Sequence, residues 1–165
     1  MPEARRRTIS ILVENQPGVL VKVAGLFRRR GYNIHSLAVG ITEAPDVSRI
    51  ITVVEASPAE VEQVIKQLHK IIEVLRVNDL TETSSVDREL ALIKVAATAG
   101  GRAEIIELAT IFRANVVDLS DKTMTLEVTG RTEKIDAMLS LLRKHGIREM
   151  VRTGQVTLTR GAQAT

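Results

Sequence analysis

Glu14-Asn15-Gln16-Pro17-Gly18-Val19-Leu20 is the stretch on which the reading of this chain turns. Before it, residues 8–13 alternate, with Ile9, Ile11 and Val13 on one face, the pattern of a half-buried strand. After it, Val19, Val23, Leu26 and Phe27 recur at helical spacing. A strand, then Asn-x-Pro-Gly, then a helix leaves unbonded main-chain N–H groups at the helix start, near Gly18, Val19 and Leu20. Pro17 is expected in the first helical turn, where no N–H is needed. Gly18 leaves the backbone uncovered to close approach. Such an end favours a carboxylate or a phosphate. The same residues also make a plain tight turn that opens a helix.

Outward from this turn the elements follow in a regular order. The helix closes on Arg28-Arg29-Arg30 and Gly31, cations in the last turn and a glycine past it. Residues 33–42 form a second strand, with Ile34, Ser36 and Ala38 expected on one side and His35, Leu37, Val39 and Ile41 on the other. A turn at 43–46 around Pro45 leads into a third strand, 48–55. Ser57-Pro58-Ala59-Glu60 is a capping box with proline at the first helical position. It opens a helix with Val61, Val64, Ile65 and Leu68 on one face, and a fourth strand follows at 72–80.

This βαββαβ order interleaves two crossovers into one antiparallel sheet with both helices on one face. Residues 81–86 read as a linker. A second βαββαβ set then runs over 87–160: a strand at 87–98, a helix with Ile105, Leu108, Ala109 and Phe112, a hairpin of 115–120 and 123–130, a helix with Ile135, Met138, Leu139 and Leu142, and one last strand at 147–159 interrupted near Gly154. Residues 161–165 are expected to be a frayed tail. Asn33-Ile34-His35-Ser36-Leu37 is echoed by Asn115-Val116-Val117-Asp118-Leu119, so the halves read as a duplication. The second half lacks the Asn-x-Pro-Gly turn, which places a ligand site of that kind in the first.

The fold class expected is therefore α+β, two consecutive ferredoxin-like βαββαβ domains at 1–80 and 87–160. Composition narrows the function. The 165 residues are 44% hydrophobic and 26% charged, ordinary for a globular protein. With no cysteine there is no thiol nucleophile, and His35, His69 and His145 are scattered, which argues against a metal site. No phosphate loop, dinucleotide fingerprint or nucleophile elbow is present, so no catalytic residue is assigned. The net charge of +3 is modest. Phe27 and Phe112 fall on helices and Tyr32 in a turn, so the sheet lacks the stacking aromatics that RNA recognition uses. No apolar run follows the basic residues 1–7 and none is long enough to span a membrane, which reads as a cytoplasmic protein.

Binding and regulation remain. The second strand is a long uncharged edge with His35, Leu37, Val39 and Ile41, and pairing with a second copy through a two-fold would satisfy it and place these four at the dimer interface. The turn of one subunit would then face Asn33 and Ile34 of the other. A small zwitterion fits, its carboxylate on the helix-start N–H groups and its ammonium on asparagine side chains or strand carbonyls, with Val19, Leu20 and Ile34 suiting an aliphatic side chain.

Residues 8–20 resemble the opening of an ACT domain. Gly31-Tyr32-Asn33-Ile34-His35-Ser36-Leu37, Leu68-His69-Lys70, Asp87-Arg88-Glu89-Leu90 and Lys94-Val95 narrow this. Over nearly its whole length the chain resembles the small, regulatory subunit of acetolactate synthase (acetohydroxyacid synthase). The resemblance implies a non-catalytic subunit that binds and activates a large subunit, whose cofactors are thiamine diphosphate, magnesium and usually FAD. It implies that the large subunit makes 2-acetolactate early in branched-chain amino-acid synthesis, and that the small one confers feedback inhibition by valine. It implies a homodimer with valine on Asn15, Gly18, Val19 and Leu20 of one ACT domain and Asn33 and Ile34 of the other, and no cofactor in this chain. The alternative is a stand-alone tandem ACT-type amino-acid sensor acting on another enzyme.

Overall fold

The computed structural model describes residues 4–165; Met1 to Glu3, the start of the basic run and of the expected first domain, lie outside the described residues. Two compact units emerge: Gln155–Thr165 joins the residues up to Val86, and Asp87–Gly154 forms the second.

In the first unit, β1 (Arg5–Glu14), β2 (Ile34–Ile41), β3 (Val47–Ala56) and β4 (Val74–Asp79) make an antiparallel sheet in the order β2-β3-β1-β4. Helices α1 (Val19–Arg29) and α2 (Pro58–Leu68) pack on one face. The apolar periodicity supplies the core: Ile9, Ile11 and Val13 meet Val19, Val23, Leu26 and Phe27 of α1 and Val61, Val64 and Leu68 of α2. The capping box forms as expected. Glu60 N–H donates to Ser57 Oγ at 3.4 Å, and Ser57 N–H donates to Glu60 Oε2 at 2.7 Å. That main-chain hydrogen bond holds the Glu60 carboxyl below the usual carboxylate range.

In the second unit, β5 (Ser85–Ala96), β6 (Asn115–Leu119), β7 (Thr123–Gly130) and β8 (Ile147–Arg152) take the order β6-β7-β5-β8, with α3 (Arg102–Ile111) and α4 (Thr132–Leu142) supplying the core. The duplication extends to its irregularities. A bulge at His35 in β2 has its counterpart at Val117 in β6. A register shift between Leu12 and Val13 has its counterpart between Lys94 and Val95. Helix α1 ends in a Schellman arrangement, Tyr32 N–H to Phe27 O at 3.1 Å with Gly31 at φ 72°; α3 ends in the same way, Ala114 N–H to Ala109 O at 2.8 Å with Arg113 at φ 53°.

Several expectations need correction. The bulge puts Ile34, paired with Val54, on the same face as Leu37, Val39 and Ile41, which pair with Thr52, Ile50 and Ser48; Ser36, Ala38 and Gly40 face the other way. A one-residue insertion flips every later side chain, so the even alternation read from the sequence fails at His35. The interruption expected near Gly154 is there, at φ 80°, and divides residues 147–159 into β8 and a separate strand, β9 (Val156–Thr159). Strand β9 pairs with β5, as the fifth strand of the second sheet, while residues 155–165 group by compactness with the residues up to Val86; residues 161–165 are no frayed tail, because Thr165 is buried and its Oγ1 accepts from Thr159 N–H at 2.8 Å. The expected linker is also shorter, because β5 begins at Ser85.

Candidate functional site

Strand β1 ends where the turn begins, and two bonds tie the turn to the β2–β3 connection. Asn15 N–H donates to Asp46 O at 2.7 Å, and Asn15 Nδ2 donates to Pro45 O at 3.0 Å. The second bond uses the amide nitrogen and leaves Oδ1 as an acceptor. Gly18 is the N-cap of α1, at φ 85°. Pro17 therefore lies one residue before the cap and not in the first helical turn, as expected from its usual preference. Nothing lies within 4 Å of where a Gly18 Cβ would stand, so the surface there is open.

The helix start is electrostatically uncompensated. It carries no acidic residue in its first turn and no side-chain cap. Val19 N–H reaches Gln16 O at 3.5 Å, a long bond, and Lys22 N–H closes the first helical turn on Gly18 O at 3.1 Å. The N–H groups of Gly18, Leu20 and Val21 have no hydrogen-bond acceptor among the described residues. One helical turn on, Lys22 pairs with Glu73 and holds that carboxyl below its usual range.

Of the expected ligand-facing side chains, Leu20 is exposed and Ile34 half-buried, while Val19 is 3% exposed and belongs to the core. Val19 thus contributes to the turn through its main chain alone. Asn33 is exposed, one residue before β2 begins. On the edge strand itself, Leu37 is 36%, Val39 48% and Ile41 67% exposed, and His35 is exposed at the bulge.

The turn and Asn33 lie at opposite ends of one sheet. Glu14 pairs with Val47 and Ile41 with Ser48 at one end, whereas Ile34 pairs with Val54, and Val54 with Arg7, at the other. The eight residues of β2 span on the order of 20 Å from end to end. Within a single chain the two halves of the expected site are not brought together.

The second unit shows what a closed version of the turn looks like. There Gly101 caps α3 at φ −103°, and Gly100 is not left-handed either. Arg102, at the position that Leu20 holds in the first unit, folds back over the loop: Nε donates to Ala97 O at 3.2 Å, and Nη2 to Ser120 O and Asp121 O, both at 2.8 Å. The neighbouring ion pair persists with its charges exchanged, Glu104 with Lys144 against Lys22 with Glu73.

Family comparison follows the same division. Residues 9–76 match the ACT domain of acetohydroxyacid synthase small-subunit-like proteins, and residues 88–161 match the small subunit of acetolactate synthase. A protein of Archaeoglobus fulgidus described as a probable acetolactate synthase small subunit is 55% identical over 156 residues, 94% of this chain and 98% of the relative. The chain belongs to the acetolactate synthase small-subunit family. The acetolactate synthase small subunit of Mycobacterium bovis is 50% identical over 157 residues, 95% of this chain and 94% of its own length. The crystal structure of the acetolactate synthase small subunit from Thermotoga maritima superposes with a TM-score of 0.88 at 40% identity, covering 96% of this chain and 99% of that one. The two ferredoxin-like units, the first an ACT domain, are thus the architecture of this small-subunit family. No helix among the described residues is long and apolar enough to cross a membrane.

Proposed function

We propose that this chain is the regulatory partner of a catalytic acetolactate synthase subunit in the cytoplasm, activating it and conferring feedback inhibition by valine. Membership of the small-subunit family supports the partner. The three unbonded N–H groups at the start of α1, beside a left-handed Gly18 and with no acidic residue in the first helical turn, support an amino-acid carboxylate as the ligand. Asn15 Oδ1 is free to accept from the ammonium. Leu20 and Ile34 are of a size to flank an isopropyl group.

The observation that carries the reading is the separation of the two half-sites along β2. Strands β1 and β2 both run antiparallel to β3, so they are parallel to each other. A two-fold that pairs β2 with β2 of a second copy makes that pair antiparallel, and the end of one strand then lies beside the start of the other. Asn33 and Ile34 of one protomer meet the turn of its partner, and Leu37, Val39 and Ile41 are withdrawn from water at the same time. The site is complete only in the dimer. Catalysis belongs to the large subunit, as do thiamine diphosphate, magnesium and FAD; no residue of this chain is assigned to them.

Reconstitution tests this. Acetolactate formation by the catalytic subunit should rise on adding this chain and fall again with valine, while the chain alone makes none. A catalytic subunit whose rate and valine response ignore this chain would refute the proposal.

A further inference from the structure

Strand β5 turns Ala91, Ile93 and Val95 toward the helices of the second unit, where they join its core. Alternation turns Leu92 and Lys94 to the opposite face, on which neither α3 nor α4 packs. The ladders fix what stands beside them. Asp118 of β6 pairs with Thr125 of β7, Thr125 with Lys94, and Lys94 with Glu149 of β8, a row across all four strands. The next row is Asn115, Glu127, Leu92 and Val151. In these rows Asp118, Glu127 and Glu149 stand against Lys94 alone, on a chain whose net charge is +3.

Two of these carboxylates have partners. Glu149 Oε2 accepts from Lys94 Nζ at 3.2 Å, and Glu127 Oε1 accepts from Asn115 Nδ2 at 3.2 Å. The Asp118 side chain has neither a hydrogen bond nor an ion pair among the described residues. It lines an open cleft of about 270 Å³, whose apolar wall is Leu92, Met150 and Val151. Met150 is 45% and Val151 60% exposed, and Val117, at the bulge beside Asp118, is 51% exposed. Exposed apolar side chains around an unpaired carboxylate suit a long cationic side chain, the stem on the apolar wall and the head on the carboxylate.

We propose that this face of the second sheet docks the catalytic subunit, and that a lysine or arginine of that subunit enters the cleft and pairs with Asp118. Its methylenes lie on Leu92 and Val151, and its charge offsets the surplus of carboxylates on the two rows. A second copy of this chain fits less well. Its exposed Arg28-Arg29-Arg30 would supply cations, but an arginine run of the first unit on a sheet face of the second is a heterologous contact, the kind that grows into rings or filaments. The inference rests on the partner proposed above.

Titrating the chain into the catalytic subunit, with acetolactate formation read in the absence of valine, tests it. Asp118→Lys combined with Glu149→Lys brings like charges together at the interface and should raise the half-activating concentration at least about tenfold. Asp118→Asn combined with Glu149→Gln removes the charges but keeps the shapes, and should raise it about threefold. Glu107→Lys, a reversal on exposed α3 in the helix layer, should leave it within about twofold. Added salt should weaken activation by the unmodified chain more than by the neutral variant. Valine binding to each chain alone should be unchanged. If the reversed and the neutral variants both activate at the unmodified concentration, the face does not dock the catalytic subunit, while the regulatory reading stands. Equal weakening by Glu107→Lys would overturn the docking too, since net charge alone would then explain the effect. Assemblies larger than a dimer that the unmodified chain forms and the reversed variant does not would give the face to a second copy and overturn it likewise. A catalytic subunit that neither binds nor responds to the unmodified chain would overturn the regulatory reading and the docking with it.

Discussion

Replacing Gly18 with Asp separates the electrostatics of the turn from its geometry. Gly18 sits at φ 85° with open space where a Cβ would stand, so any side chain meets backbone strain but no clash. A left-handed backbone costs an L-residue about 1–2 kcal/mol, less for Asp than for most. Gly18→Ala carries that strain alone. Gly18→Asp adds a carboxylate, ionised at neutral pH, beside the three N–H groups proposed for the valine carboxylate. Two unit charges about 4 Å apart interact by roughly 4 kcal/mol at an effective dielectric near 20. Solvent at this exposed turn reduces that to about 2 kcal/mol, which is about 30-fold in affinity. Titration calorimetry of valine against both variants, with urea unfolding as the stability control, gives the comparison. The two should lose similar stability, and Gly18→Asp should bind valine about 30-fold more weakly than Gly18→Ala. Affinities within about threefold of each other would refute the placement of the carboxylate at this helix start.

Arg113→Gly should stabilise the second unit by about 1 kcal/mol, because Arg113 holds at φ 53° the place that Gly31 holds in the first; a raised urea midpoint checks it. A chain ended after Thr83 should be destabilised by at least about 3 kcal/mol, since Ile51 and Val53 return to water at about 1.5 kcal/mol or more each; denaturant melts of the two lengths measure this. Glu89→Ala should cost about 3 kcal/mol, because buried Glu89 takes two 2.8 Å hydrogen bonds from Arg152 and one at 3.2 Å from Thr132. Leu37→Lys, which puts like charges near the proposed two-fold, should weaken the dimer in sedimentation equilibrium.

How much of this was legible in the chain depends on whether the determinant is local. The Ser57–Glu60 capping box, the Arg-rich end of α1 before Gly31, and the Val19-Val23-Leu26-Phe27 stripe are written in adjacent residues, and all form as read. The bulges at His35 and Val117 are not, because a bulge is a property of pairing with β3 or β7, and neither residue type announces it. Arg113 likewise gives no sign of a left-handed backbone; only its alignment with Gly31 in the repeat would have suggested one. Residues 156–159 alternate as a strand should, but their partner is β5, and the neighbouring Gln155 and Thr165 are held by Ser36, Thr8 and Arg49, all far off in sequence. Within the candidate site the turn was readable from Asn-x-Pro-Gly. The inward side chain of Val19 was implied by the same stripe that identified α1. The separation of Asn33 from the turn follows only from strand order.

That separation makes the central claim testable by mixing subunits. Gly18→Asp spoils the turn, and Asn33→Lys places a cation beside the proposed ammonium on the edge strand. Each variant alone forms a dimer with both sites damaged. In a mixed dimer one site combines both lesions, and the other joins the intact turn of one protomer to the intact edge of its partner. Co-folding the two variants in equal amounts should therefore restore valine binding at wild-type affinity to about one quarter of the wild-type stoichiometry, although each variant by itself binds only weakly. A mixture that binds no more valine than its separate components would contradict a site shared between protomers.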